Sequence, residues 1–182
     1  WTFVDSRIRQ EDFAAGAVLS LTDAAGEYCD TVASQGNVLV ISAYKNLSAK
    51  RLSGLEQTVS HAELLGLRPV VVVPSRDILA AAFIAPETAG ADVSEGDSAT
   101  SGAVLPEWLD GKTYYSDFKT IATLNRSNGG VTWISDGQIV RKWSYTLRPS
   151  LENLESALKE DPAALALETA SKGSLILQGY LL

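Results

Sequence analysis

Methionine is missing from this 182-residue chain, and cysteine and histidine occur once each, as Cys29 and His61. A single thiol excludes an internal disulfide, a Cys-x-x-Cys redox pair and a multi-cysteine zinc site. A single imidazole excludes a His-rich metal site and leaves few bases for a nucleophile. Ser42, Ser48, Ser53 and Ser60 stand in no Gly-x-Ser-x-Gly elbow, so hydrolysis is discounted. The Gly129-Gly130 pair lacks the further glycines and the following helix of a nucleotide loop. No basic stripe interrupts a formal charge of −7, which argues against a phosphate-backbone binder and hence against nucleic acid. No apolar run is long enough to span a membrane. The chain opens at Trp1 without a methionine, so we expect a processed form or a piece of a longer protein, with any signal or membrane segment removed.

What is there reads as one domain with an appendage. The composition is 46% apolar, as in a globular protein with a good core. Residues 1–16 show no clear period. "VLSLTDAAGEYC" reads as a strand, a turn at residues 23–26 and a short return. "NVLVISAY" is a continuous β-branched run of the kind buried on both faces of a parallel sheet. Leu52, Leu55, Val59 and Ala62 then recur at helical spacing, and Gly66 can end that helix in the left-handed region. "RPVVVVPS" is a second buried strand and "RDILAAAFIA" a short helix, so the order predicts a parallel strand–helix–strand crossover.

Residues 86–112 read as a long surface insertion, rich in Gly, Ala, Ser and acidic residues. We expect its acidic part, to about Ser101, to be mobile and open to proteolysis within residues 88–101. Val104, Leu105, Trp108 and Leu109 should pack as a small ordered patch. "KTYYS" predicts a short strand, and residues 117–126 a helix burying Phe118, Ile121 and Ala122. A hairpin follows, residues 131–134 and 138–145, about the favoured turn Asp136-Gly137. Ser150 caps a helix carrying Leu151, Leu154 and Leu158 on one face, and Asp161-Pro162 opens another that Gly173 closes. The apolar tail "SLILQGYLL" is expected to pack on the domain or to continue into a further segment. The fold class is α/β, a mixed sheet flanked by helices, with an insertion and a C-terminal helical extension. The expected division is residues 1–148, with the insertion at about 86–112, and residues 149–182, the extension packing on it.

Three stretches, "WTFVDSR", "VLVISAY" and "YYSDFKTIATLNRSNGGVTWISDGQIVRKWSY", resemble the C-terminal thioredoxin-like domain of Bacteroidetes DoxX/MauE-type membrane proteins. The match covers roughly residues 1–146 without the insertion. The resemblance implies a thioredoxin-like fold and a soluble domain preceded by a bundle of membrane helices. That family's late segment reads Arg-Ser-Asn-Pro-Gly, an apolar strand, a Lys/Asp-Gly turn and a strand ending Lys-Trp. This chain departs from it in having Gly129 where the family has the proline of the cis-proline loop, and glycine has no such preference for a cis bond. After the first core strand, where Cys-x-x-Cys would sit, it has "YKNLSAK", so both thiols are missing.

The resemblance therefore implies a scaffold without the chemistry: no catalytic, cofactor-binding or metal-binding residue, and no cofactor. The corresponding binding patch is Tyr44, Lys45, Asn46, Leu47 and Ser48 together with Asn128, Gly129 and Gly130. The expected role is a non-catalytic domain that binds an unidentified protein partner or steadies the membrane part. Its membrane association would run through a segment absent from this chain, placing it in the cell envelope at the inner membrane, on the periplasmic side. The alternative is a redox relay in which Cys29 works with thiols of a missing membrane segment. A weaker third reading is a stand-alone secreted binding protein.

The remaining candidates have bland readings that prevail. The carboxylates of Glu27 and Asp30 disfavour a thiolate at Cys29, which reads as a buried small residue. His61 reads as a solvated helix position. "DVSEGD", from Asp92 to Asp97, fits calcium-loop spacing poorly and reads as a solvated acidic loop. Trp133 and Trp143 read as core or half-buried sheet, and Trp108 as an anchor of the insertion or a partner contact.

Overall fold

The computed structural model describes residues 19–80, 105–162, 164 and 165. In chain order the elements are β1 (Asn37–Ser42), α1 (Ala49–Leu64), β2 (Arg68–Val73), α2 (Asp77–Ala80), β3 (Thr113–Tyr115), α3 (Phe118–Leu124), β4 (Gly130–Ser135), β5 (Gln138–Trp143) and α4 (Leu151–Leu158). The five strands form one sheet in the order β3-β2-β1-β4-β5. β1 lies parallel to β2, with Val38 opposite Arg68 and Ser42 opposite Val72. On its other side β1 runs antiparallel to β4, and β4 to β5. A parallel crossover joined to an antiparallel hairpin, with helices on both faces, is a thioredoxin-like α/β arrangement.

The apolar run of β1 is explained by its place between two layers. Val38 and Val40 face one layer with Val70, Val72, Leu19, Leu21 and the α3 residues Ile121 and Leu124. Leu39 and Ile41 face the other, with Leu52, Leu55 and Val59 of α1 and Leu154 and Ala157 of α4. Each such side chain, fully buried, stabilises the fold by roughly 1.5–3 kcal/mol relative to an exposed one. Alternation along a strand sends neighbours to opposite faces, so only a strand covered on both sides tolerates an unbroken apolar run.

The ends of α1 follow its sequence. Ser48 Oγ accepts the Arg51 N–H at 3.4 Å. At the other end the Gly66 N–H donates to the Glu63 carbonyl at 3.0 Å and the Leu67 N–H to the Ala62 carbonyl at 2.9 Å. These are the paired bonds of a Schellman cap, and Gly66 takes the left-handed conformation it needs, with φ +72°. The Asp136-Gly137 turn has φ values of +46° and +77°, the signature of a type I′ hairpin. Its register slips by one residue, because Ile134 pairs with Ile139 but Trp133 pairs with Arg141. The extra residue, Val140, is buried, so the bulge keeps an apolar side chain in the core.

The N-terminal turn forms as expected but pairs sparingly. Thr22 bridges Tyr28 and, on its other side, Tyr115 of β3, so the turn extends the sheet edge. β3 is parallel to β2 and occupies the edge of the sheet. Leading into it, Leu109 is buried, and Leu105 and Trp108 pack against the α1-side core. Lys112 holds this approach, reaching the Trp108 carbonyl at 3.2 Å and Glu63 at 3.0 Å. Trp108 thus anchors the end of the insertion. The rest of that expectation, residues 88–101, Val104 and the Asp92–Asp97 loop, lies outside the described residues, as do residues 1–16 and the apolar tail.

One helix differs from its expected pattern. α3 buries Ile121 and Leu124, while Phe118 is 52% exposed and Ala122 only half-buried. Asp117 is the cap, so Phe118 is the first helical residue, and its ring meets the Tyr44 ring edge-on at 5.2 Å instead of the sheet. At the C-terminal side Ser150 Oγ caps α4 through the Asn153 N–H at 3.3 Å. The Leu165 N–H donates to the Asp161 carbonyl at 3.1 Å, a first helical bond where the second C-terminal helix was expected, and Leu165 is buried.

Space is open around Gly66, where an added Cβ would meet nothing within 4 Å. Its cost is therefore one of backbone strain alone. Gly66→Ala is expected to destabilise the fold by about 1 kcal/mol in urea unfolding, and Gly66→Asn by less.

Candidate functional site

Antiparallel pairing brings the loop after β1 against the loop before β4, since Ser42 stands opposite Gly130. These are the two loops that the resemblance marks as the site. Between them the Gly129 N–H donates to the Ser42 carbonyl at 2.7 Å. Asn128 does the rest. Its Oδ1 accepts the Tyr44 N–H at 2.9 Å and the Lys45 N–H at 3.1 Å, and its Nδ2 donates to the Lys45 carbonyl at 3.0 Å. One carboxamide thus satisfies three backbone groups of a loop with no ladder of its own. The Tyr44 hydroxyl adds a bond to the Arg126 carbonyl.

A second asparagine braces the first from inside. Asn125 is buried, and its Nδ2 lies 3.1 Å from the Val131 carbonyl, 3.1 Å from the Trp143 carbonyl and 3.3 Å from Thr132 Oγ1. Its Oδ1 accepts the Ser127 N–H at 3.0 Å. Ser127 passes the connection on, its Oγ accepting the Tyr145 N–H at 2.9 Å. Gly130 has no room for a side chain here, because a Cβ would lie 2.5 Å from Asn125 Oδ1.

All eight expected patch residues are therefore brought together, in unequal roles. Lys45, Asn46 and Ser48 are exposed, Tyr44 and Asn128 half-buried, and Leu47, Gly129 and Gly130 buried within the joint. Gly129 has φ +82°, far from the −65° that a proline ring imposes. Every peptide bond among the described residues is trans. A Cβ at Gly129 would lie 3.0 Å from the Tyr145 ring, so both backbone and packing suit glycine.

At the rim, Asp117 caps α3 by accepting the Thr120 N–H at 3.0 Å and the Thr120 hydroxyl. The bond from the Thr120 side chain, then those from backbone N–H groups, hold its carboxyl below the ordinary value of 3.8. A lowered carboxyl stabilises the folded state above that value, and the contribution is lost as pH falls through the folded-state pKa.

The other candidates lie elsewhere or are sealed. Cys29 is a free, half-buried thiol in the N-terminal hairpin, with Sγ 3.6 Å from the Glu27 carbonyl. Ser42 Oγ is fully buried without a partner, which denies it a nucleophile's access. His61 departs from the solvated position expected of it: it is half-buried, and its Nδ1 is shielded without a hydrogen-bond partner. Trp133 is core, its Nε1 donating to Asn37 Oδ1 at 3.2 Å, and Trp143 is half-buried. Among the described residues no three His, Cys, Asp or Glu side chains gather to hold a metal ion.

Sequence reading missed Asn125, Tyr145 and Arg148. The guanidinium groups of Arg51 and Arg148 lie over the Tyr145 ring, 4.8 and 4.7 Å from its centre. The one signal was Gly54, a glycine inside a 16-residue helix, where a close approach by another group is the usual physical reason.

No family model matches the chain, and no curated protein matches it. Among solved structures the chain is similar to a thioredoxin-like protein from Aeropyrum pernix, with 15% identity and a TM-score of 0.47 over 82% of this chain and 91% of that one.

Removing the Asn128 carboxamide leaves three backbone groups to find water or strain. Asn128→Ala is expected to cost about 2 kcal/mol in chemical unfolding. Asn128→Asp keeps an acceptor but turns a second oxygen on the Lys45 carbonyl, so it should recover only part of that loss.

Proposed function

We propose that this chain is a non-catalytic thioredoxin-like domain of a DoxX/MauE-type membrane protein, held at the periplasmic face of the inner membrane through a segment outside this chain. There it binds a protein partner, or steadies the membrane part, through the face formed by Tyr44, Lys45, Asn46, Ser48 and Asn128. The observation that carries this reading is the Asn128 joint. The loop where a thiol pair would act holds no thiol, and its Tyr44 and Lys45 amides are already taken by a side chain. A loop closed in this way offers a fixed surface and no thiol nucleophile. The half-exposed aromatic corner of Tyr44 and Phe118 gives that surface apolar area for a partner.

The free thiol of Cys29 keeps one alternative in view, a relay that exchanges with thiols of a membrane segment. The two readings separate in an insulin-reduction assay with dithiothreitol as reductant. The purified chain should give the rate of dithiothreitol alone, with or without Cys29→Ser. Turnover that disappears in Cys29→Ser would overturn the non-catalytic reading. The membrane context is checked by fractionating source cells and probing with an antibody to this chain. The native protein should sediment with inner membranes and be released by detergent but not by salt; recovery in the soluble fraction would contradict it.

A further inference from the structure

Away from the joint, the outer face of α1 borders an open pocket of about 480 Å³ lined by Lys50, Ser53, Gln57, His61 and Arg148, with Glu56 beside them. Arg148 arrives from the turn after β5 and fills a notch that only glycine leaves open. A Cβ on Gly54 would stand 2.6 Å from its Nη2 and 2.9 Å from its Cζ. The guanidinium is fixed from two sides, over the Tyr145 ring at 4.7 Å and through Nη1 to the Tyr145 carbonyl at 3.3 Å. Arg51 shares that ring at 4.8 Å. Lys50 lines the pocket with Arg148, and Arg51 lies beside them over the Tyr145 ring, so three cations belong to one neighbourhood.

Like charges repel, and crowding them costs free energy unless an anion lies between them. This chain has 22 acidic against 15 basic residues, so acids to pair with are not scarce. Yet among the described residues none of the three cations forms an ion pair, and the salt bridges there join Lys112 to Glu63 and Lys159 to Glu155. Glu56 borders the pocket without pairing with any of them. A preorganised guanidinium fork beside an ammonium, a hydroxyl and a carboxamide is the chemistry that recognises a tetrahedral oxyanion.

We infer that this pocket is a binding site for a phosphate group, held by Arg148 and Lys50, with Ser53 and Gln57 as neutral donors and Arg51 adding positive field. Gly54 is the residue that makes it, by admitting the guanidinium to the helix surface. The site shares Tyr145 as a neighbour with the Asn128 joint but uses none of its residues, and it does not rest on the function proposed above.

The test is a titration of the ¹⁵N-labelled chain with inorganic phosphate, matched in ionic strength by sodium chloride. Saturable amide shifts are expected at Ser53, Gly54, Gln57 and Arg148. Arg148→Gln should weaken the affinity about tenfold or more, the loss typical of one charged partner. Gly54→Ala should do the same while the fold is kept, since alanine favours the helix and its methyl displaces only the end of a flexible side chain. Shifts equal to those in chloride, or an unchanged affinity in a folded Gly54→Ala, would overturn the site. Vesicles of phosphatidylcholine with phosphatidic acid then identify the source. Arg148-dependent sedimentation assigns the phosphate to a lipid headgroup; phosphate binding without sedimentation assigns it to a soluble ligand.

Discussion

Two loops 83 residues apart in the sequence are joined by a single carboxamide, that of Asn128 against Tyr44 and Lys45. Much of the surrounding structure is arranged so that this contact can exist. Antiparallel pairing of β1 and β4 sets the loops side by side, and Gly129, next to Asn128, takes the left-handed backbone and donates its N–H to the Ser42 carbonyl. Asn125 and Ser127 then tie the same loop to β4, β5 and Tyr145. Buried and half-buried amides are costly when left unmade, so a network of this kind either closes fully or fails. Here the three backbone groups that Asn128 faces are all bonded.

The consequence is a division of labour within one scaffold. The core covers β1 and β2 with apolar side chains on both faces. The joint ties the loop after β1 to the loop before β4 at the end of that core. The turn after β5 serves both sides: Ser127 fixes the Tyr145 backbone, while the Tyr145 ring and carbonyl position Arg148 on α1. A glycine in mid-helix, unfavourable for α1 by itself, is what lets that arginine lie down. The phosphate site and the closed loop are therefore neighbours through Tyr145, although they use different residues.

The parts of this arrangement legible in the sequence were those set by local pattern. The apolar runs of β1 and β2, the stripe of α1, the Asp136-Gly137 turn and the Ser150 cap each reflect chemistry within a few residues, and each is found where the pattern places it. The two loops of the expected patch were named through resemblance, and antiparallel pairing of β1 with β4 sets them side by side. Phe118 was misplaced because spacing gives a helix face but not what lies opposite each turn; its ring meets Tyr44 rather than the sheet. The roles of Asn125 and Asn128 were invisible, since an asparagine at a helix end or before a glycine reads as cap or turn chemistry whatever its side chain contacts. Arg148 was illegible for the same reason: its partners are Gly54 and Tyr145, and only the first leaves a trace in the sequence.

The central claim, that the thioredoxin-type loop is closed by Asn128, is tested most directly by native-state amide exchange at Tyr44 and Lys45. Lys45 is exposed and lies outside any strand, so nothing but the Asn128 carboxamide accounts for protection of its N–H. The account predicts slow exchange at both amides in the native chain and a loss of protection of about tenfold or more in Asn128→Ala, with Val40 in β1 still protected. Fast exchange at Tyr44 and Lys45 in the native chain, or protection that survives Asn128→Ala, would contradict it.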